Sequence, residues 1–365
     1  MKRKVGLIIG YNGEGYHGLQ YNNDLKTIEK EIIDILLRNE CITEINSKDP
    51  QKIDLKSCSR TDKGVHASFN VVSVKIIQEP TLELFEILKR EFLDKGMILY
   101  KLIKLPKRFL GHKCARSRIY KYVLPTYVLQ DSNFEEECKN LEIKDKAAND
   151  NNEESSDDCS EEKAKPARTY SKSELDKVRG CKSDSIDLFT KMMNCYVGTK
   201  NYHNFTLKRT EGSAQRFIKQ ITVSEPFLDS DVEYIEIKIH GQSFLLHQIR
   251  KMISFAVLNC RYARNNYQAN FEKALSKEDV HIPKCPSQYL FLNHIFFEDF
   301  NTKRSEQGAE KIEINESDKE VFEKEKIYPS VLRLENIYEW FKYLDAVRFH
   351  HQNFDIFKKI NQLNK

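Results

Sequence analysis

Strand-like and helix-like segments alternate along both halves of this 365-residue sequence. Residues 4–11 form an apolar run that ends in a glycine-rich stretch, which is typical of a buried strand entering a loop. An amphipathic helix is expected after Thr27, which can cap it. Strands are expected at 69–77 and 97–103, with a helix at 82–92 between them. The first hundred residues therefore predict a mixed unit of strands and helices.

The second half repeats this order. Its expected segments are a strand beginning at 118, a helix near 175–197, strands at 217–223 and 233–240, a long helix from about 244 to 261, a short helix near 271 and a strand at 290–297. A final helix, with the single Trp340, is expected at 332–349. The sequence therefore divides into halves at 1–115 and 116–300, and a charged linker with a C-terminal helix at 301–365.

Charge is distributed unevenly along the chain. The net charge is +4, but residues 133–165 hold twelve acidic and five basic side chains, and residues 302–326 hold eight and six. Without these two segments the body is strongly basic, which favours a polyanionic partner, although many basic proteins are simply soluble. Because residues 133–165 are also rich in Asn and Ser, we expect them to form an exposed, disordered insertion.

Several classes of protein are disfavoured by the sequence. The nine cysteines are scattered without a CxxC pair, which indicates reduced thiols, and the ten histidines show no HExxH, so no metal site is predicted. No run reaches the roughly 18 apolar residues that a membrane span needs. A strand-like segment from residue 4 leaves no room for a signal or transit peptide, so we expect a nuclear or cytosolic protein.

The densest polar cluster is CSRTDKGVHA at 58–67. Asp62 lies between Arg60 and Lys63, and a carboxylate between two cations ionises readily, which suits a nucleophile or a base. Gly64 allows a tight turn that would present the aspartate. An ordinary charged surface turn is the alternative.

A second cluster is RSRIYKYVLP at 116–125. Side chains two apart share a face of a strand, so Arg118, Tyr120 and Tyr122 lie on one side. A cation beside aromatic rings can hold a phosphate while a ring stacks on a base. Core tyrosines or cross-strand pairs are the alternative.

A third cluster, GQSFLLHQIRKM at 241–252, opens the long helix, with Ser243 as the expected cap. Arg250 and Lys251 stand among apolar positions and therefore need an anion or another partner. A cation whose stem covers a half-buried face is the alternative. The glycine-rich stretch YNGEGYHGLQ at 11–20 has a GxGxxG spacing, but more loop follows it, so a dinucleotide-binding role is rejected.

These segments, in this order, resemble the TruA family of tRNA pseudouridine synthases, and within it the eukaryotic multisite branch. The matching strings span about residues 5–300 and are GYNGEGYHGLQ, CSRTDKGVHA, RIYKYVLP, GTKNYHNFT, RFIKQI with SEPF, and GQSFLLHQIRKMI.

The resemblance implies an α+β fold of two tandem ferredoxin-like halves, whose antiparallel sheets join around a central basic cleft, with a C-terminal helical extension. It implies isomerisation of uridine to pseudouridine in folded tRNA by base flipping, with snRNA or mRNA as further candidate substrates and without a cofactor. Monomer and homodimer both stay open. A non-catalytic RNA-binding module or chaperone with the same cleft is the alternative function, and a protein-interaction scaffold is a more remote one.

The resemblance also implies roles for individual residues. Asp62 takes the place of the catalytic aspartate, Tyr120 that of the base-stacking tyrosine, and Arg250 that of the arginine that pairs with the aspartate. The residues expected to contact RNA are Arg60, Lys63, His66, Arg118 and Lys251. The chain departs from the family pattern at residues 285–290, where two glycines are replaced by Ser287 and Tyr289, so we expect a bulkier loop there.

Overall fold

A computed structural model describes residues 2–134, 136–137, 180–207 and 212–350. The strands are β1 (Arg3–Tyr11), β2 (Lys56–Ser57), β3 (His66–Ile76), β4 (Met97–Lys104), β5 (Ser117–Pro125), β6 (Gly198–Asn201), β7 (Gln215–Val223), β8 (Phe227–Asp229), β9 (Val232–Gly241) and β10 (Leu290–Phe296). The helices are α1 (Ile28–Arg38), α2 (Glu44–Ser47), α3 (Leu82–Asp94), α4 (Gly111–Cys114), α5 (Ser183–Asn194), α6 (Gln248–Tyr262), α7 (Tyr267–Leu275), α8 (Glu298–Glu306), α9 (Glu316–Phe322), α10 (Tyr328–Val331) and α11 (Leu334–Phe349). The predicted α+β class is confirmed.

The ten strands form one sheet in the order β4-β1-β3-β10-β5-β9-β7-β6, with β2 on β3 and β8 on β9. Neighbouring strands within each half are antiparallel, as expected. The halves join through β3 and β10, where His66 lies opposite Phe291 and Ala67 opposite Leu292, and this junction is parallel. Because parallel strands start at the same edge, the loops before β3 and β10 meet. The boundary between residues 115 and 116 stays a prediction.

Local sequence signals account for the first helix. The Thr27 hydroxyl oxygen accepts a hydrogen bond from the Lys30 amide at 3.3 Å and so caps α1. Ile32, Ile35 and Leu36 are fully buried on the predicted face. The same combination of a threonine cap and one apolar face forms α3 after Thr81.

The long helix α6 starts four residues later than predicted. Ser243 is not its cap; the cap position is His247, whose backbone has a φ of 62° in the left-handed region. The Gln248 side-chain oxygen accepts from the Leu245 amide at 2.8 Å, which folds the preceding residues into a loop. Residues 243–246 therefore line the cleft as loop instead of lying in the helix.

The segment after residue 300, predicted as a charged linker, is largely helical and packs on the sheet. Ile312, Phe322, Ile327 and Val331 are buried although charged residues surround them in the sequence. Glu323, in a π-helical turn, accepts a hydrogen bond from Lys121 of β5 at 2.9 Å. Buried apolar side chains and buried ion pairs thus hold this segment against the sheet, although its charged composition is typical of a linker.

The predicted final helix is confirmed as α11. Trp340 is fully buried, and its ring packs edge-on to Tyr122 with centroids 6.4 Å apart. The Tyr122 hydroxyl donates to the Pro286 carbonyl at 2.9 Å, so this tyrosine belongs to the core and to the support of the 285–290 loop.

Most of the predicted insertion at 133–165 lies outside the described residues. At its start, however, Glu137 is bound by Arg261 of α6 and Arg348 of α11. The Tyr262 hydroxyl also donates to Glu137 at 2.6 Å. Burial alone would raise the pKa of Glu137, but the two arginines outweigh it and lower the pKa to about 2. The beginning of the insertion is therefore part of the folded core.

We predict that Glu137→Gln lowers the free energy of unfolding by about 3 kcal/mol at neutral pH, because Arg261 and Arg348, both largely buried, lose the negative charge that they share. A depressed carboxyl pKa contributes stability above the ordinary pKa of 4.5, and this contribution disappears as the pH falls towards 2. Urea denaturation should therefore show wild type and variant converging below pH 4.5. The exposed neighbour provides the control, since Glu136→Gln should behave as wild type at every pH.

Candidate active site

A cleft beside the sheet junction contains two cavities that share a wall. The larger, of about 780 Å³, is lined by Tyr120 and is called here the Tyr120 chamber. The smaller, of about 680 Å³, is lined by Lys284 and is called the Lys284 chamber. Both are lined by Asp62, His247 and Arg250. The predicted catalytic aspartate therefore stands where the two chambers meet.

The turn that carries Asp62 is held by the glycine-rich loop after β1. The Leu19 amide donates to the Thr61 carbonyl at 3.1 Å, and the Gly64 amide donates to the Tyr16 carbonyl. Gly18 lies so close that a Cβ there would be 2.9 Å from the Thr61 carbonyl oxygen. Gly64 itself adopts a φ of 74°, as the predicted tight turn requires. The GxGxxG-like stretch is thus a scaffold for the aspartate turn, a role that the sequence reasoning missed.

The Asp62 carboxylate is hydrogen-bonded by His247, whose Nδ1 lies 2.8 Å from Oδ2. The side chains are 28% and 13% exposed, respectively, so water screens this contact only partly. Burial would raise the pKa of Asp62, but the His247 hydrogen bond and charge, with Arg250 and Lys284, together lower it. The carboxylate is therefore ionised at neutral pH.

Arg250 lies in the first turn of α6 and makes a different contact from the predicted one. Its Nε donates to the Cys285 carbonyl at 2.7 Å. Within the described chain no ion pair joins Arg250 to Asp62, although its charge helps to lower the pKa of Asp62. In this structure Arg250 therefore acts on Asp62 through its charge without a direct ion pair, while its Nε is held by the Cys285 carbonyl.

Tyr120 forms one wall of its chamber. Its ring is 8% exposed and meets Phe244 edge-on with centroids 5.3 Å apart. Its hydroxyl lies 2.9 Å from the Ser59 hydroxyl. Burial raises the pKa of Tyr120, so the phenol stays protonated. The ring is fixed before any ligand enters, which suits a stacking surface.

The predicted RNA-contacting residues fall into two groups. Arg60 and Lys63 are exposed, and Arg118 is half-buried with Nη1 donating to the Gln242 carbonyl at 2.9 Å. Arg60 and Arg118 line the Tyr120 chamber, and Lys63 lines the Lys284 chamber. Cations are therefore present in both chambers. Lys284, which the sequence reasoning did not single out, adds another cation to its own chamber.

His66 and Lys251 are held within the protein. His66 is 2% exposed; its Nδ1 accepts from the Gly13 amide, its Nε2 donates to the Gln288 carbonyl, and burial lowers its pKa to about 4. Lys251 is 5% exposed and donates to the Asn204 and Thr206 carbonyls at 3.1 and 3.0 Å. Hydrogen bonds inside the fold satisfy both side chains; Lys251 lines neither chamber, whereas His66 also lines the Lys284 chamber. Their contacts with phosphates stay predictions.

The two residues that replace glycines in the 285–290 loop lie in different environments. Tyr289 is fully buried and packs against Tyr122 with ring centroids 6.0 Å apart. Ser287 lines the Lys284 chamber, with its hydroxyl 3.8 Å from the position that a Cβ on Gly64 would take. The expected extra bulk therefore goes mainly into the core, and only Ser287 of this pair faces the cleft.

Neither a metal site nor a membrane span is found in the described part of the chain. In these ranges, no three His, Cys, Asp or Glu side chains are grouped closely enough to hold a metal ion. None of the helices described above is long and apolar enough to cross a membrane.

Comparisons with known proteins show which proteins this chain is similar to. A family model described as tRNA pseudouridine synthase matches residues 192–298. The chain is 35% identical to tRNA pseudouridine synthase 1 of Kluyveromyces lactis, covering 94% of this chain and 70% of that protein. It is 34% identical to the Saccharomyces cerevisiae protein of the same name, over 88% and 66% of the two chains. It is 28% identical to the mouse pseudouridylate synthase 1 homolog, over 92% and 71%.

We predict that Lys251→Gln lowers the free energy of unfolding by at least about 2 kcal/mol, because a charged donor to two buried carbonyls is lost. Lys63→Gln is the matched control: the same substitution at an exposed position should leave the unfolding curve unchanged. Because burial, with the neighbouring Lys284, lowers the pKa of Lys251 to about 8, wild type should gain stability from Lys251 between pH 8 and 10.5. Equal unfolding curves for the two variants would contradict the structural role of Lys251.

Proposed function

The chain belongs to the tRNA pseudouridine synthase family, and we propose that it converts uridine to pseudouridine in folded tRNA with Asp62 as the reacting carboxylate. The observation that carries the proposal is an ionised, partly buried Asp62 at the meeting point of two cation-lined chambers. The reaction breaks the bond from N1 of uracil to C1′ and forms a bond from C5 to C1′, while a proton leaves C5 and N1 gains one. No atom is added, so the reaction needs no redox partner.

In this proposal the target uridine leaves the RNA stack and its uracil enters the Tyr120 chamber. Unstacking a base costs a few kcal/mol, and less where the RNA is already distorted. The buried ring of Tyr120, held edge-on by Phe244, offers a flat surface for the uracil. Asp62 then attacks C1′ or removes a proton from the ribose, and in either role it must be ionised.

The backbone on either side of the target needs cations. Lys63 and Lys284 line the Lys284 chamber, and Arg60 is exposed and lines the Tyr120 chamber. We assign these side chains to phosphates of the strand that enters and leaves the cleft. Because side chains do not reach bases in the narrow major groove of an RNA duplex, the shape of the folded tRNA selects the substrate more than its sequence does.

Asp62→Asn should reduce pseudouridine formation by more than about 100-fold while tRNA affinity stays within a few-fold of wild type, because the amide replaces the reacting oxygen and no phosphate contact is removed. Tritium release from [5-³H]uridine-labelled tRNA measures turnover, and filter binding measures affinity. Asp231→Asn, in the turn between β8 and β9, is the control and should keep wild-type rates. If the Asp62→Asn variant turns over at more than a hundredth of the wild-type rate, the assignment is wrong. An inactive wild type that binds tRNA would favour the RNA-binding alternative.

Replacing Lys63 and Lys284 together by Gln should flatten the salt dependence of tRNA binding. Each phosphate contact contributes about 0.7–0.9 to the slope of log affinity against log salt, so two lost contacts should remove roughly twice that. The control is a double variant with Lys107→Gln and Lys324→Gln, which removes the same charge from exposed positions that line neither chamber. If both double variants give the same slope, these chambers do not carry the RNA backbone.

A further inference from the structure

We propose that His247 is a positioning residue for Asp62, which holds one carboxylate oxygen in place so that the other stays available to the target ribose. The inference rests on the proposed function and assigns a role to a side chain that lines both chambers. In the part of the chain that the structure describes, His247 is the side chain in direct hydrogen-bond contact with this carboxylate.

The contact works in both protonation states of the imidazole. His247 Nδ1 lies 2.8 Å from Asp62 Oδ2, and a neutral ring with its hydrogen on Nδ1 donates as an imidazolium does. The opposite tautomer would set a nitrogen lone pair against the ionised carboxylate, so the hydrogen is assigned to Nδ1 from this pairing. One oxygen is thereby engaged, and rotation of the carboxylate about its Cβ–Cγ bond is restricted.

The backbone of His247 is strained in a way that serves this contact. A φ of 62° is the left-handed conformation, which residues with a side chain adopt rarely and at an energetic cost. His247 is the cap residue of α6, and Gln248 begins the helix. Its backbone is therefore fixed by the whole helix, and the ring is aimed at the aspartate turn that precedes β3.

The other charged and titratable groups near Asp62 are placed differently. Arg250 donates its Nε to the Cys285 carbonyl, and Lys284 is exposed on the loop before that residue. Both act on Asp62 through their charge. The Tyr120 phenol carries no charge, because burial, with the neighbouring Asp62 carboxylate, raises its pKa and keeps it protonated. A direct hydrogen bond fixes direction as well as charge, and only such a bond can hold a reacting oxygen within a narrow range of angles.

The test compares two substitutions that tolerate the left-handed backbone. His247→Gly removes the donor, whereas His247→Asn keeps an amide nitrogen at the same number of bonds from Cα as Nδ1. We expect His247→Gly to lose kcat by about 10–100-fold, as for one hydrogen bond to a charged group, with KM for tRNA within about threefold. His247→Asn should keep kcat within a few-fold of wild type, and added imidazole should restore part of the rate of the Gly variant.

The pH profile separates positioning from a general effect on the fold. Without the His247 donor the pKa of Asp62 rises, so the acidic limb of kcat should move to higher pH in the Gly variant and much less in the Asn variant. Asp231→Gly, at another described position with positive φ, is the matched control and should leave rate and profile unchanged. If the Gly variant does not fold, His247→Ala against His247→Asn gives the same comparison.

The outcomes distinguish this inference from the proposed function. If wild type makes no pseudouridine, the proposed function fails. If wild type is active and His247→Gly matches it in kcat, the positioning role is overturned. If the Asn variant is as slow as the Gly variant although both are folded, a hydrogen-bond donor is not what matters, and this too overturns the inference.

Discussion

The parallel pairing of β3 with β10 is the constraint on which the rest of the site depends. It makes both strands start at one edge of the sheet, so the turn with Asp62 and the 285–290 loop meet there. β5 lies on the other side of β10 and brings Tyr120 to the same edge. The contact between Asp62 and His247 joins residues 185 positions apart in the chain. No local segment of the chain contains this site; it exists only once the two halves share a sheet.

The C-terminal segment supports this arrangement from both ends of the cleft. Glu323 is bound by Lys121 of β5 and by Asn293 of β10, next to the junction. Ser330 and Arg333 bind Glu14 in the glycine-rich loop, which in turn holds the aspartate turn. The segment after residue 300, which was predicted as a linker, thus connects the two loops that position Asp62. Its removal would loosen the site without touching a reacting atom.

The elements that the sequence predicted well are those whose position depends on nearby residues alone. Apolar runs and threonine caps located β1, β3, β4, α1 and α3 to within a few residues, because the core face of each element repeats at its own period. The resemblance identified Asp62 and Tyr120, and the structure brings both to one cleft.

The positions of His247 and Lys251 could not be predicted in the same way. His247 is in the quoted motif, but its left-handed backbone and its distant partner leave no periodic signal. For Lys251 a signal existed: from 251 to 261 every position of α6 is buried, as in a helix surrounded by protein. A lysine inside such a run donates to carbonyls of the fold instead of to water, as Lys251 does to Asn204 and Thr206.

A basic cleft was predicted from the net charge of the chain without its two acidic segments, and the structure corrects this reason. Subtracting the two acidic segments treated them as separate from the basic body, yet Glu137 neutralises Arg261 and Arg348, and Glu323 neutralises Lys121. These buried cations cannot meet a polyanion, because their hydrogen bonds are used inside the fold. What attracts RNA in the proposed function is therefore the exposed cations that line the chambers, among them Arg60, Lys63 and Lys284, and not the net charge of the body. Few charges close to a low-dielectric wall act more strongly on an anion than many charges spread over an exposed surface, because solvent screens the latter.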